Sequence, residues 1–189
     1  FDREMIRVKQ VTGETDVQLS SLSKTVTDLS TRLGTSSLAL LKSATTLRQA
    51  GLSATDTKDA LKILAETQLT PNFEDLEKTT EGLIAIRSQF KNINGNTRGA
   101  KELSKDFDAI NKSSAQFAFE SGDIINAVIK AGGAFSSAGG NLQEFVATMG
   151  AIRSTTRETA DTIATGIKTI SARIQRPVTQ QRLKIKYGI

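Results

Sequence analysis

The sequence predicts an all-α fold: a bundle of short antiparallel helices with a longer N-terminal helix, glycine-rich turns and no sheet. Three observations predict it. Apolar residues recur at steps of three and four through most of the chain, the spacing of one face of a helix. Only 2 prolines occur in 189 residues, and the alternating β-branched runs of strands are scarce. Hydrophobic residues make up 38% of the chain but aromatics only 5%, which suits helices packed through Ala and Leu. A chain of this length buries one good core, and one or two domains both fit it.

Residues 3–33 read as one continuous helix. Leu22, Val26, Leu29 and Leu33 form a seam of two heptads, and Gly34 supplies a C-terminal stop. Two readings fit that seam, an ordinary amphipathic helix leaning on the core and a self-associating coiled-coil lead-in. Ser36 or Ser37 caps the next helix, with Leu38, Leu41, Ala44 and Leu47 inward and Gly51 at its end. Ser53 caps another, with Asp56 three positions on and Leu52 as a hydrophobic staple. Leu61, Leu64 and Ala65 supply its buried face.

Pro71 interrupts, Asn72 restarts, and Leu76, Leu83, Ile84 and Phe90 line a fourth helix. The connections run from two to six residues, which places neighbouring helices side by side or antiparallel. Residues 91–99 are the clearest loop, with turn formers at Asn94-Gly95 and Gly99, and mark a sub-boundary. Leu103, Phe107, Ile110 and Phe117 then follow at helical spacing. Five of the eight phenylalanines lie between 100 and 150, so the densest core is expected there.

Residues 122–166 hold seven of the 14 glycines. Gly132-Gly133 and Gly139-Gly140 are expected to punctuate two short helices, over 124–130 and 142–152. Such pairs serve sharp turns and close helix approach, or a hinge that lets the region rearrange.

The stretch 153–176 reads as one amphipathic helix. Thr155 and Glu158 make a capping box, and Ile163, Ile167, Ile170 and Ile174 share one side, flanked by Ala160 and Ala164. Arg157, Asp161, Thr165, Lys168 and Arg176 project opposite. Pro177 lacks the amide hydrogen a helix interior needs, so the helix is expected to end at Arg176. The following Gln-Gln-Arg-Leu-Lys-Ile-Lys reads as a short basic helix or a frayed end.

Charge is unevenly placed. Residues 153–189 carry eight bases against Glu158 and Asp161, a net of +6, while the whole chain is +5. The basic balance therefore comes from the C-terminal fifth, which suits nucleic acid, an anionic membrane or an acidic protein wall. An arginine row opposite an isoleucine stripe is also what a solvated helix face shows. Residues 153–186 contain no aromatic to stack on bases, whereas duplex phosphate contact needs only Lys and Arg.

The residues argue against chemistry. With no Cys and no His, the usual transition-metal ligands and the usual base near pH 7 are missing. The glycine runs do not fit a phosphate-cradling loop or a dinucleotide fingerprint. Asp56, Asp59, Glu74, Asp75, Glu77 and Glu81 offer carboxylates, at the spacing of solvated helix faces. The expectation is no enzyme, no cofactor, no metal and no small-molecule substrate. The longest charge-free run in the middle of the chain, 131–143, is 13 residues rich in Gly and Ser, short of the roughly 20 apolar residues a spanning helix needs. The chain begins at Phe1 and closes on Lys-Tyr-Gly-Ile189, and is expected to be an excerpt of a longer protein.

A resemblance adds to this. The run Arg-Ser-Thr-Thr-Arg-Glu-Thr-Ala-Asp-Thr-Ile-Ala-Thr-Gly from Arg153, with Ile174-Gln-Arg-Pro177, resembles the signature of the core region of phage tail tape measure proteins. Phe117-Ala-Phe-Glu-Ser-Gly-Asp123, Ala131-Gly-Gly-Ala-Phe135 and Ala138-Gly-Gly-Asn-Leu142 resemble that family's helix–glycine–helix pattern, and Leu52-Ser-Ala-Thr-Asp56 and Thr80-Glu-Gly-Leu-Ile-Ala85 fit it more loosely. The chain departs at Ile167-Lys168 and Ser171-Ala172, where bulkier aromatics are expected. The resemblance covers about residues 34–177 as a tape measure core module, with residues 1–33 read as an N-terminal helix or coiled-coil lead-in and 178–189 as a basic C-terminal stub.

It also implies a function. In that family an extended helical protein lies in the lumen of the virion tail tube, templates tail length during assembly in the host cytoplasm, and leaves on infection to help genome passage. The implied partners are the tail tube protein, tail-assembly chaperones, tail tip proteins and further copies of itself, with DNA or host membrane contacted at infection. On this reading Ile163, Ile167, Ile170 and Ile174 seat the signature helix. Arg153, Arg157, Lys168, Arg173 and Arg176 face the tube wall or DNA. Two alternatives stay open: a membrane-active helical module in which 122–150 refolds to insert, and a helical adaptor unrelated to phage.

Overall fold

The computed structural model describes residues 1–70, 73, 75–91 and 97–188. The described residues form ten α-helices and no strand, as the all-α expectation has it. Pro71, Asn72 and Glu74, and the turn expected at Asn94-Gly95, lie outside the described residues. The chain divides into two compact units, Phe1–Ile84 with Gly99–Phe107, and Ala85–Arg98 with Asp108–Ile189.

The first unit holds α1 (Asp2–Thr12), α2 (Asp16–Leu33), α3 (Ser37–Gln49), α4 (Ala54–Thr67) and the beginnings of α5 (Leu76–Gln89) and α6 (Ala100–Phe117). The continuous helix expected over 3–33 is two helices. Gly13 adopts a left-handed φ of 66° and donates its N–H to Lys9 O, which closes α1. Thr15 then opens α2 with a capping box, its N–H donating to Gln18 Oε1 at 3.0 Å. Periodicity alone hides the break, although Gly13 and the Thr15–Gln18 pair mark it locally. Glu14, between the two, is buried and pairs with Arg48 of α3 at 2.8 Å.

Further on, local signals hold. Gly34 closes α2 in the left-handed region, Ser36 accepts the Ala39 N–H, and Ser53 accepts the Asp56 N–H at 3.1 Å. Leu22, Val26 and Leu29 of the α2 seam are buried, while Leu33 is half-buried. Leu41, Ala44 and Leu47 face inward in α3, but Leu38 is 45% exposed and Leu40 is buried in its stead. Leu40 is one residue from Leu41, so the inward face is wider than a single stripe and turns away from Leu38. α1 packs on α3, and α2 and α3 pack on α4. Phe73 and Phe107 meet with ring centroids 5.8 Å apart.

The second unit holds the ends of α5 and α6 with α7 (Ser121–Ser137), α8 (Leu142–Thr156), α9 (Ala160–Ile174) and α10 (Pro177–Tyr187). Phe145 is fully buried and meets Phe90 at 6.2 Å and Phe135 at 5.4 Å. Around this trio α7 packs on α8 and α9.

The two glycine pairs behave differently. Gly139, with a φ of 98°, makes the turn expected between α7 and α8. Gly132-Gly133 does not punctuate anything, since α7 runs through it unbroken to Ser137. A Cβ added at Gly132 would lie 2.8 Å from Phe90 Cε2 and 2.5 Å from Gln89 Oε1. The glycine admits a ring against the helix backbone, and that packing offsets the roughly 1 kcal/mol it costs against Ala.

Candidate functional site

The signature stretch is a corner between two helices, not one helix. Residues 153–156 finish α8, where the Thr155 hydroxyl donates to Ala151 O at 3.0 Å instead of capping a new helix. Arg157 closes α8 with a left-handed φ of 61°, unusual for a residue with a side chain, and its N–H bonds Arg153 O. Thr159 is the actual cap of α9 and accepts the Thr162 N–H at 3.2 Å. Glu158 lies between them, exposed, its N–H donating to Thr156 Oγ1.

Arg153 holds this corner. Its guanidinium lies 5.4 Å from the centroid of the Phe119 ring and donates to Arg157 O at 3.1 Å and to Glu158 O. A side chain so engaged stabilises the fold and is only half-exposed. It therefore stands apart from the other four bases expected to form an interaction row. Arg157, Lys168, Arg173 and Arg176 are exposed and form no ion pair among the described residues. Asp161 of the same segment is taken by Lys130 of α7 at 2.6 Å.

The isoleucines divide too. Ile163 and Ile167 are buried along with Ala160, Ala164 and Ser171, and form the face that α9 turns to α7. Ile170 is 61% exposed and Ile174 43% exposed. Gln175, the C-cap of α9, donates to Ala134 O at 3.0 Å near the end of α7. The helix ends at Ile174 rather than Arg176, and Pro177 starts α10 as its first residue. α10 rests on α9 and has no buried residue. Val178 and Ile185 of α10 are exposed as well, aliphatics in a basic stretch that the sequence reading did not single out.

Among the described residues no three His, Cys, Asp or Glu side chains are placed to hold a metal ion. A cleft of about 890 Å³ in the first unit is lined by Glu4, Arg7, Lys42 and Thr80 among others, but its threonine hydroxyls are spent on the backbone carbonyls of Leu41, Lys42 and Leu76. Of the expected carboxylates, Asp75 caps α5, its Oδ1 accepting the N–H groups of Glu77 and Lys78. No described helix is long and apolar enough to cross a membrane.

A family model described as phage-related minor tail protein matches residues 23–189. No curated protein and no solved structure matches the chain. The family match begins within α2, leaves out α1, and covers the rest of both units, including the Arg153 corner and the basic α9 and α10. The chain belongs to the phage-related minor tail protein family, and its role is that of a structural protein of the phage tail.

Proposed function

We propose that this chain is the globular helical segment of a tape measure protein: it sits in the lumen of the tail tube, next to the extended part that sets tail length, and leaves with it on infection. The family match supports a tail protein, and the signature run from Arg153 to Pro177 narrows the reading to a tape measure. The observation that supports the lumenal placement is the set of exposed cations Arg157, Lys168, Arg173 and Arg176, which form no ion pair among the described residues. Solvated cations of one sign attract an anionic wall over about a Debye length, ~8 Å at physiological salt.

The test is cross-linking with mass spectrometry on intact particles. Peptides from 153–186 are expected to link to the inner face of a tube protein. Links confined to this chain, or absence of these peptides from particles, overturn the lumenal reading. Reversing Arg157, Lys168, Arg173 and Arg176 to Glu is expected to leave the circular dichroism spectrum unchanged and to lower the yield of complete tails.

A further inference from the structure

The packed sides of α1 and α2 belong to one heptad seam. Met5, Val8, Thr12, Thr15, Leu19 and Leu22 follow at alternating steps of three and four, and the run continues without a slip to Leu33. Val8 is buried in α1, and Leu19 and Leu22 in α2, so each half uses this seam. Two helices that pack independently have no need to share a phase, whereas one helix running straight through the corner requires it. Threonines hold the two seam positions beside the bend. Thr15 is exposed and caps α2, and the half-buried Thr12 donates to Val8 O at 2.7 Å.

Little holds the bend. Val8 is the one buried residue of α1. Glu14 Oε1 pairs with Arg48 at 2.8 Å, but Oε2 is buried with no hydrogen-bond partner among the described residues. A carboxylate oxygen left so counts against the bent form.

We infer that α1 and α2 form a two-state hinge: in the second state α1 swings off α3, and the chain runs as one helix from Asp2 to Leu33 through Gly13, Glu14 and Thr15. The continuous helix that periodicity predicts over 3–33 is this second state. α2 supplies its nucleus, so the helix extends backwards with one backbone hydrogen bond for each residue added. Both oxygens of Glu14 then reach water. Arg48 loses its partner but keeps the carbonyl of Leu52, and its side chain is already 18% exposed. The packing of α2 on α3 and α4 stays as it is, because Leu19, Leu22, Val26 and Leu29 do not move. Against the straight form stand the burial of Val8 and a glycine inside a helix. The lumenal reading above does not enter this inference, and the two stand or fall separately.

The test is a distance measured in the full 189-residue chain. The chain has no cysteine, so spin labels introduced through Arg3→Cys and Thr31→Cys, both exposed positions, report a single separation by double electron–electron resonance. A straight helix sets these positions about 42 Å apart, and a bend at the corner brings them closer. Gly13→Ala is the decisive variant. A Cβ there meets nothing within 4 Å, so its effect is on backbone conformation alone. Ala is disfavoured at the left-handed φ and favoured over Gly inside a helix, which together raise the ratio of straight to bent by about tenfold or more. Glu14→Ala removes the pair with Arg48 and is expected to raise the same population. The expected result is a shorter distance that dominates without these changes, and a narrow peak near the straight-helix value that grows in both variants with helical circular dichroism kept. Three results overturn the inference: no growth of that peak in Gly13→Ala, none in Glu14→Ala, or a distribution that broadens without it while circular dichroism falls, as α1 frays instead of extending.

Discussion

The corner between α1 and α2 and the corner between α8 and α9 are built from the same three-residue plan. Each has a left-handed residue, then Glu, then a capping Thr: Gly13-Glu14-Thr15 and Arg157-Glu158-Thr159. The backbone angles nearly coincide, with φ 66° and 61° at the first position and −72° and −68° at the threonine. What holds them differs. In the first, the strain-free residue is glycine and the glutamate turns inward to Arg48. In the second, a strained arginine takes the left-handed position, the glutamate stays in water, and an upstream arginine ties down the carbonyls. The same local geometry is therefore reached once through a buried ion pair and once through backbone clasping.

Five substitutions break or sharpen that comparison. The largest effect is expected at Arg48→Met, which leaves Glu14 buried without its cation; loss of about 3–5 kcal/mol should appear as a lower urea midpoint. Glu158, exposed at the matching position, should tolerate Ala within about 0.5 kcal/mol. An intermediate effect belongs to Arg153→Met. It removes the two carbonyl contacts and the stacking on Phe119, for about 1–2 kcal/mol, read by thermal unfolding. A smaller pair of effects is the most diagnostic, because the two corners should answer with opposite signs. Gly13→Ala should destabilise by about 1 kcal/mol, and Arg157→Gly should stabilise by about 0.5 kcal/mol through relief of left-handed strain. Equal signs at the two positions would show that the corners are not equivalent after all.

Much of the fold was legible where the cause is local. The caps at Ser36 and Ser53, the stop at Gly34 and the buried faces of α4 and α6 follow from side chains within four residues of the backbone they serve. The errors share another origin. Thr155 with Glu158 is the better capping box on paper, yet Thr159 caps α9; the corner is clasped through Arg153 on Phe119, a residue well upstream. Gly132-Gly133 and Gly139-Gly140 are identical dipeptides, and both admit a phenylalanine ring, Phe90 at Gly132 and Phe135 at Gly140; the left-handed φ of Gly139 is what makes the second a turn. The isoleucine spacing gave the face of α9 correctly at Ile163 and Ile167, but a period carries no record of where the neighbouring helix stops. Of the candidate site, the run of basic residues was readable from sequence; that Arg153 is spent on the α8–α9 corner was not.

That α10 has no buried residue bears on its amide hydrogens. A helix of 11 residues is marginal by itself in water, and this one has little tertiary packing to slow its opening. Its amides should exchange at rates set by fraying, orders of magnitude faster than those of Ile163 to Ile167 on the packed turns of α9. Any slowing of that exchange would then report directly on what has come to rest against it.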